Sequence, residues 1–96
     1  MMVSNLDFIN IAMTSLKRMP PNQKVVFKTF KKDRKVEVLK LENSYTVIED
    51  GFKNNIIENL DYKEIKKVLK ETQKIEFPRS NKLWYSITTV LPKKQI

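Results

Sequence analysis

Lys63, Lys66, Lys67, Lys70 and Lys74 recur at helical spacing. Wound at 100° per residue, they fall within an arc of roughly 100°, opposite the apolar set Tyr62, Ile65, Val68 and Leu69. Glu64 and Glu71 lie together on one flank, so the cations are gathered and not mixed with acids. The i,i+4 pairs Lys63/Lys67, Lys66/Lys70 and Lys70/Lys74 cost an isolated helix about 0.2–0.5 kcal/mol each, a penalty that an anion lying across the stripe would remove. Such a stripe can grip phosphates; it can equally be the solvated side of a helix in a lysine-rich protein.

Two further stretches carry similar chemistry. In FKTFKKDRKVEV, the turn region brings Lys31, Lys32, Arg34 and Lys35 together around Asp33. A protruding basic hairpin can follow a phosphate backbone, while charged turns also keep loops wet and protect strand edges. In EFPRSNKLWY, Pro78 forces an extended approach to a strand, so Arg79, Ser80, Asn81 and Lys82 extend the lysine stripe at the end of its helix. Arg79 offers bidentate phosphate contact, and Trp84, on the strand face opposite Leu83 and Tyr85, could stack on a base or on Arg79. The plainer alternative is that Ser80 and Asn81 make a turn and Trp84 packs under a helix.

Most other chemistry is excluded by composition. The chain has 96 residues with no cysteine and no histidine, which removes thiolate nucleophiles, disulfides, imidazole bases and zinc sites built on either residue. A single glycine, Gly51, rules out multi-glycine phosphate loops. The adjacent Glu49 and Asp50 point apart on an extended strand and make a poor acid/base or metal pair. A non-enzymatic protein without cofactor or metal is expected. The amino terminus lacks a signal-peptide pattern and no apolar run approaches the ~20 residues of a membrane span, so a cytoplasmic location without membrane contact is the default.

Nineteen basic against eleven acidic residues give a net charge of +8 and a pI near 9.8, which favours polyanions or acidic surfaces. Three of the cations are arginine (Arg18, Arg34, Arg79) and the other sixteen lysine. Lysine is a point charge, without the planar fork that reads guanine, so a nucleic-acid partner, DNA or RNA, would be held by its backbone with little sequence specificity. The alternative is a protein-interaction or regulatory subunit, forming a homodimer or docking on an acidic partner.

The elements that must position these residues follow from periodicity. Ser4 to Met19 reads as a helix capped by Ser4 or Asn5 and ended by Pro20-Pro21. Lys24–Lys32, Lys35–Glu42 and Tyr45–Glu49 read as a three-stranded meander. Residues 52–60 fit either a loop or a strand. Asp61 and Glu64 form a capping box for a helix from Tyr62 to about Gln73, and Lys82–Leu91 reads as a last strand. Residues 91–96 read as a frayed tail of a single domain, 1–96.

The expected fold is therefore α+β: an antiparallel sheet of at least four strands with two helices, in the order α-β-β-β-(β?)-α-β. In element order alone, helix, three strands, helix resembles the double-stranded-RNA-binding domain; the second helix lacks that domain's alanine-rich core and glycine-containing basic lead-in. Leu6, Ile9, Leu16, Phe27, Leu39, Val47, Ile65, Val68, Leu69, Leu83, Tyr85 and Ile87 are the expected core. Apolar residues occur on both strand faces, so either helices cover both or one face, carrying Phe30, Trp84, Lys28 and Lys40, is left for a partner.

Overall fold

A computed structural model describes residues 1–90; the expected frayed tail, and the Leu91 end of the expected last strand, lie outside them. Six strands, β1 (Met2–Ser4), β2 (Gln23–Thr29), β3 (Lys35–Lys40), β4 (Tyr45–Asp50), β5 (Asn54–Leu60) and β6 (Lys82–Thr89), form one antiparallel sheet in the order β1-β6-β2-β3-β4-β5. Two helices complete the α+β fold, α1 (Phe8–Arg18) and α2 (Tyr62–Glu76). The undecided segment 52–60 supplies β5, which extends the meander to four strands, and Met2–Ser4 adds a short strand that takes in Ser4, the first residue of the expected helix. After α2 the chain returns to the free side of β2, pairing Phe27 with Tyr85 and Val25 with Ile87.

Strand alternation decides which side chains meet the helices. Val25 and Phe27, Val36 and Val38, Val47, and Leu83 share one cluster with Phe8, Ala12 and Leu16 of α1 and with Ile65 and Leu69 of α2. Both helices therefore cover the same face. Phe8 anchors it, edge-on to Phe27 at 4.7 Å and to Phe77 at 5.5 Å. In β5, one extra residue opposes β4 between Tyr45 and Val47, with Asn59 in the left-handed region at φ 60°. The bulge turns both Ile57 and Leu60 toward the core, which a regular strand would not allow.

The helix ends are fixed by specific side chains. The Asp61–Glu64 capping box opens α2: Glu64 N–H donates to Asp61 Oδ1 at 2.8 Å, and Asp61 N–H to Glu64 Oε1 at 2.9 Å. At the end of α1, Lys40 Nζ donates to the carbonyls of Leu16 and Met19, both at 2.7 Å, placing a cation at the negative end of the helix dipole. Lys40 thus belongs to the covered face and not with Lys28 and Trp84.

Two expected core residues are exposed, Leu6 at 95% and Ile87 at 42%. Leu6 sits in a 3-10 turn, Asn5–Asp7, whose tighter period carries it off the face that Phe8 and Ala12 share; Ser4 caps that turn by accepting from Leu6 N–H. Ile87 lies beside a groove between α1 and β6 that also exposes Ile11 and Tyr85. Ile9, Leu39, Val68 and Tyr85 are only partly buried. Phe77, which no periodicity singled out, is sealed instead at 1% exposure.

Candidate functional site

The expected cations divide between three places. Lys63, Lys66, Lys67, Lys70 and Lys74 are all exposed, while Ile65 and Leu69 of the same helix are fully buried. The stripe therefore points away from the sheet, and none of the five has a carboxylate partner among the described residues.

At the C-terminal end of α2 the β2–β3 turn meets the loop that leads into β6. Together they border a groove of about 910 Å³, lined by Lys31, Arg34, Arg79 and Lys82 with Phe30, Ser80 and Asn81. The turn is closed by Lys32 N–H to Thr29 O at 2.8 Å and Thr29 N–H to Arg34 O at 3.0 Å. Glu76 lines the groove as well, and so does Asp33, whose negative charge opposes the cations. Its Oδ1 accepts from Thr29 Oγ1 at 2.6 Å, and that hydrogen bond is the main reason its carboxyl lies below the usual range.

The loop is held as firmly as the turn. Asn5 Nδ2 donates to the carbonyls of Phe77 and Ser80, both at 2.9 Å; Asn5 N–H reaches Asn81 O, and Gln73 Nε2 fixes Asn5 through its carbonyl and Oδ1. Arg79 and Lys82 thus project from a backbone tied to α2. Arg34 has a structural task as well: Nη1 donates to the carbonyls of Ile75 and Glu76, at 3.4 and 3.3 Å, and caps α2.

The third place is the open face of the sheet. Trp84 stands there half-buried, opposite Met2 on one side and Lys28 on the other. Its Nε1 donates to Phe30 O at 3.0 Å, and its ring lies nearly parallel to that of Phe30, at 6.1 Å and 14°. Lys32, in the left-handed region at φ 63°, sets its ammonium 5.1 Å from the indole centroid, a position that the sequence offers to Arg79 or a base. Lys35 leaves the turn altogether and joins the open face, bonded to Glu37 at 3.2 Å and Asp50 at 3.8 Å.

A pair of carboxyl groups went unseen in the sequence. Glu49 and Glu76 are 4% and 1% exposed, on β4 and the last turn of α2. Glu76 accepts from Phe52 N–H at 2.7 Å and Lys53 N–H at 3.0 Å, and Glu49 Oε1 accepts from Asn55 Nδ2 at 3.0 Å. Glu49 Oε2 is buried and meets no donor among the described residues. A proton there, donated to Glu76, satisfies both groups. Burial raises the Glu49 carboxyl, and the hydrogen bond to Glu76 and its charge raise it further, against the pull of Asn55 and Lys53. Burial acts on Glu76 too, but is outweighed by the hydrogen bonds from Glu49, Lys53 and Phe52 and by the Arg34 charge, so Glu76 lies below its ordinary value.

Gly51 permits this arrangement, since a Cβ there would collide with Glu76 Oε1 and meet the Arg34 side chain at 2.9 Å. Two signals could have found the pair. Glu49 alternates in step with Val47, and Glu76 continues the Ile65-Leu69-Thr72 stripe of α2. The adjacent Asp50 faces the other way, as expected, so the carboxylates that meet come from distant segments. Among the described residues no group of three or more acidic side chains could hold a metal ion, and no helix is long and apolar enough to cross a membrane. No family model, curated protein or solved structure matches the chain.

Proposed function

We propose that this protein is a small basic nucleic-acid-binding module that grips the phosphate backbone with little discrimination between bases. What carries the proposal is the convergence of Lys31, Arg79 and Lys82 on one groove, beside Arg34, Asp33 and Glu76, from two segments far apart in sequence and tied in place by Asn5 and Thr29. Such positive charge, held on a fixed backbone, favours a repeating anion. The α2 stripe reaches the same end of the helix through Lys74 and adds attraction at longer range.

Titration with a DNA duplex, an RNA duplex and single strands at several salt concentrations tests this. Binding should be weak and sequence-tolerant, with log K falling linearly in log salt by about 0.9 per phosphate neutralised on duplex DNA. Replacing Lys31, Arg79 and Lys82 by glutamine should flatten that slope more than replacing Lys63, Lys67, Lys70 and Lys74. No binding of any nucleic acid at low salt would end the proposal.

A second reading, a protein-interaction subunit or homodimer without a nucleic-acid role, has its own observation. The groove of about 860 Å³ between α1 and β6 exposes Ile87 among Asp7, Asn10, Thr14 and Arg18. Sedimentation equilibrium distinguishes the two, because concentration-dependent mass abolished by Ile87→Lys favours this one.

A further inference from the structure

Phe30 is the unexplained residue of the basic turn. It keeps 67% of its surface exposed, and its one aromatic partner is the indole of Trp84. The core is sealed without it, since the aromatic residues that close the interior are Phe8, Phe27 and Phe77. A turn under no other demand would carry a polar residue there. Instead the Trp84 ring is fixed by its Nε1 bond to the Phe30 carbonyl, the two rings are parallel to within 14°, and Phe30 also lines the cationic groove.

From this juxtaposition, and resting on the proposal of nucleic-acid binding, we infer that the Phe30–Trp84 stack and the adjoining groove bind a single-stranded polynucleotide. An unpaired base extends the stack on the exposed Phe30 ring, while the neighbouring phosphates lie against Lys31, Arg79 and Lys82. The planarity argues for a base, because a planar ring adds to two parallel rings with full contact, whereas the carboxylates of an acidic protein would use the cations and leave Phe30 idle. The exposed ring argues for a single strand, because a duplex hides its base faces within its own stack and offers a protein only phosphates and groove edges. The groove volume falls in the range that encloses a drug-sized ligand, enough for a nucleotide or two. Lys28, cross-strand from Trp84, provides a further cation where the strand would leave the platform.

The probes are homothymidine and homouridine strands of about a dozen nucleotides, an abasic strand of equal length and a DNA duplex, with fluorescence of Trp84, the only tryptophan, as readout. Homothymidine or homouridine should quench Trp84 and bind roughly tenfold or more tighter than the abasic strand. Phe30→Ala, at an exposed site that leaves the fold intact, should remove that advantage and leave duplex binding unchanged; Trp84→Ala, which lacks the reporter, should act the same way when binding is read by anisotropy of a dye-labelled strand. Equal binding of abasic and base-bearing strands, with Phe30→Ala silent, would overturn the single-strand inference and leave backbone binding standing. Loss of all binding at low salt would overturn both.

Discussion

Beneath the helices, Val25, Phe27, Val36, Val38 and Val47 are each fully buried in one continuous cluster. On the reverse of the same strands, Val26 is almost as well hidden, at 6% exposure, yet no helix lies over it; its neighbours there are Lys24, Lys28, Glu37 and Ser86. The first face is closed by apolar packing. The second is shielded by long side chains whose stems lie on the sheet and whose charged ends pair, Lys24 with Glu37 at 3.1 Å and Lys35 with both Glu37 and Asp50. Apolar residues on both strand faces therefore do not require two helical layers, because lysine stems can dry a row of β-branched residues. The ladder ends toward β6, where Lys28 has no acidic partner among the described residues and Trp84 takes over.

The sharpest break of this comparison is a pair of truncations on adjacent residues of β2. Phe27→Ala removes the ring that touches both Phe8 and Tyr85 and should cost about 3–5 kcal/mol. Val26→Ala, pointing the other way, removes about two buried carbons from a face covered by lysine side chains and should cost about 1–2 kcal/mol. Urea denaturation of both measures the difference. Equal losses would show that the open face is packed as tightly as the covered one.

Next in size is the carboxyl pair where α2 meets the β4–β5 turn. Glu76→Gln replaces one of two oxygens that accept from Phe52 and Lys53 with an amide donor, and removes the negative charge that Arg34 favours. A loss of about 1.5–3 kcal/mol is expected, as for hydrogen bonds to a charged group. Glu49→Gln should be nearly neutral or stabilising at pH 7, because its amide can donate to Glu76 and its oxygen can still accept from Asn55.

The two glutamates also predict opposite slopes with pH. The raised Glu49 binds its proton more tightly folded than unfolded, so it contributes stability at acid pH that is lost as pH rises through its folded pKa. The lowered Glu76 contributes stability present above the ordinary glutamate range and lost as pH falls through its folded pKa. Thermal stability should peak between those two values, where the pair holds one proton. Glu49→Gln should abolish the decline on the alkaline side of that peak and keep the acid-side decline. A parallel decline in the variant would mean that Glu49 is not the group that titrates.

The elements were legible because their signals are local. The Asp61–Glu64 box, the Pro20-Pro21 stop and the alternation in β2 and β3 each depend on a few neighbouring residues, and each was recovered. What escaped depends on contacts across the chain. β1 exists because Met2–Ser4 finds the edge of β6, some eighty residues later, and β5 reaches its register through a bulge at Asn59 that no spacing announces. The site was legible to the same degree. The cations of the turn and the Arg79 loop could be named in advance, but their meeting around one groove follows from Asn5 clamping the Phe77–Asn81 backbone. Arg34 shows the converse: chosen for its charge, it spends that charge capping a helix.

The smallest effect tests the ion-pair ladder itself. Glu37 is nearly enclosed, with an 8% exposed side chain, but its partners Lys24 and Lys35 are about a third exposed, so solvent screens each attraction from one side. Glu37→Gln keeps the shape and removes the charge, leaving Lys35 with Asp50 and Lys24 without an acid. The expected cost is about 0.2–1 kcal/mol at low ionic strength, the range of partly solvated pairs. It should shrink toward zero near 1 M salt, where the screening length falls to about 3 Å. A double-mutant cycle with Lys24→Gln isolates the 3.1 Å pair from any change in packing. Should the coupling be large and indifferent to salt, the open face would be closed by desolvated charge, and the contrast with the helical face would be one of chemistry but not of tightness.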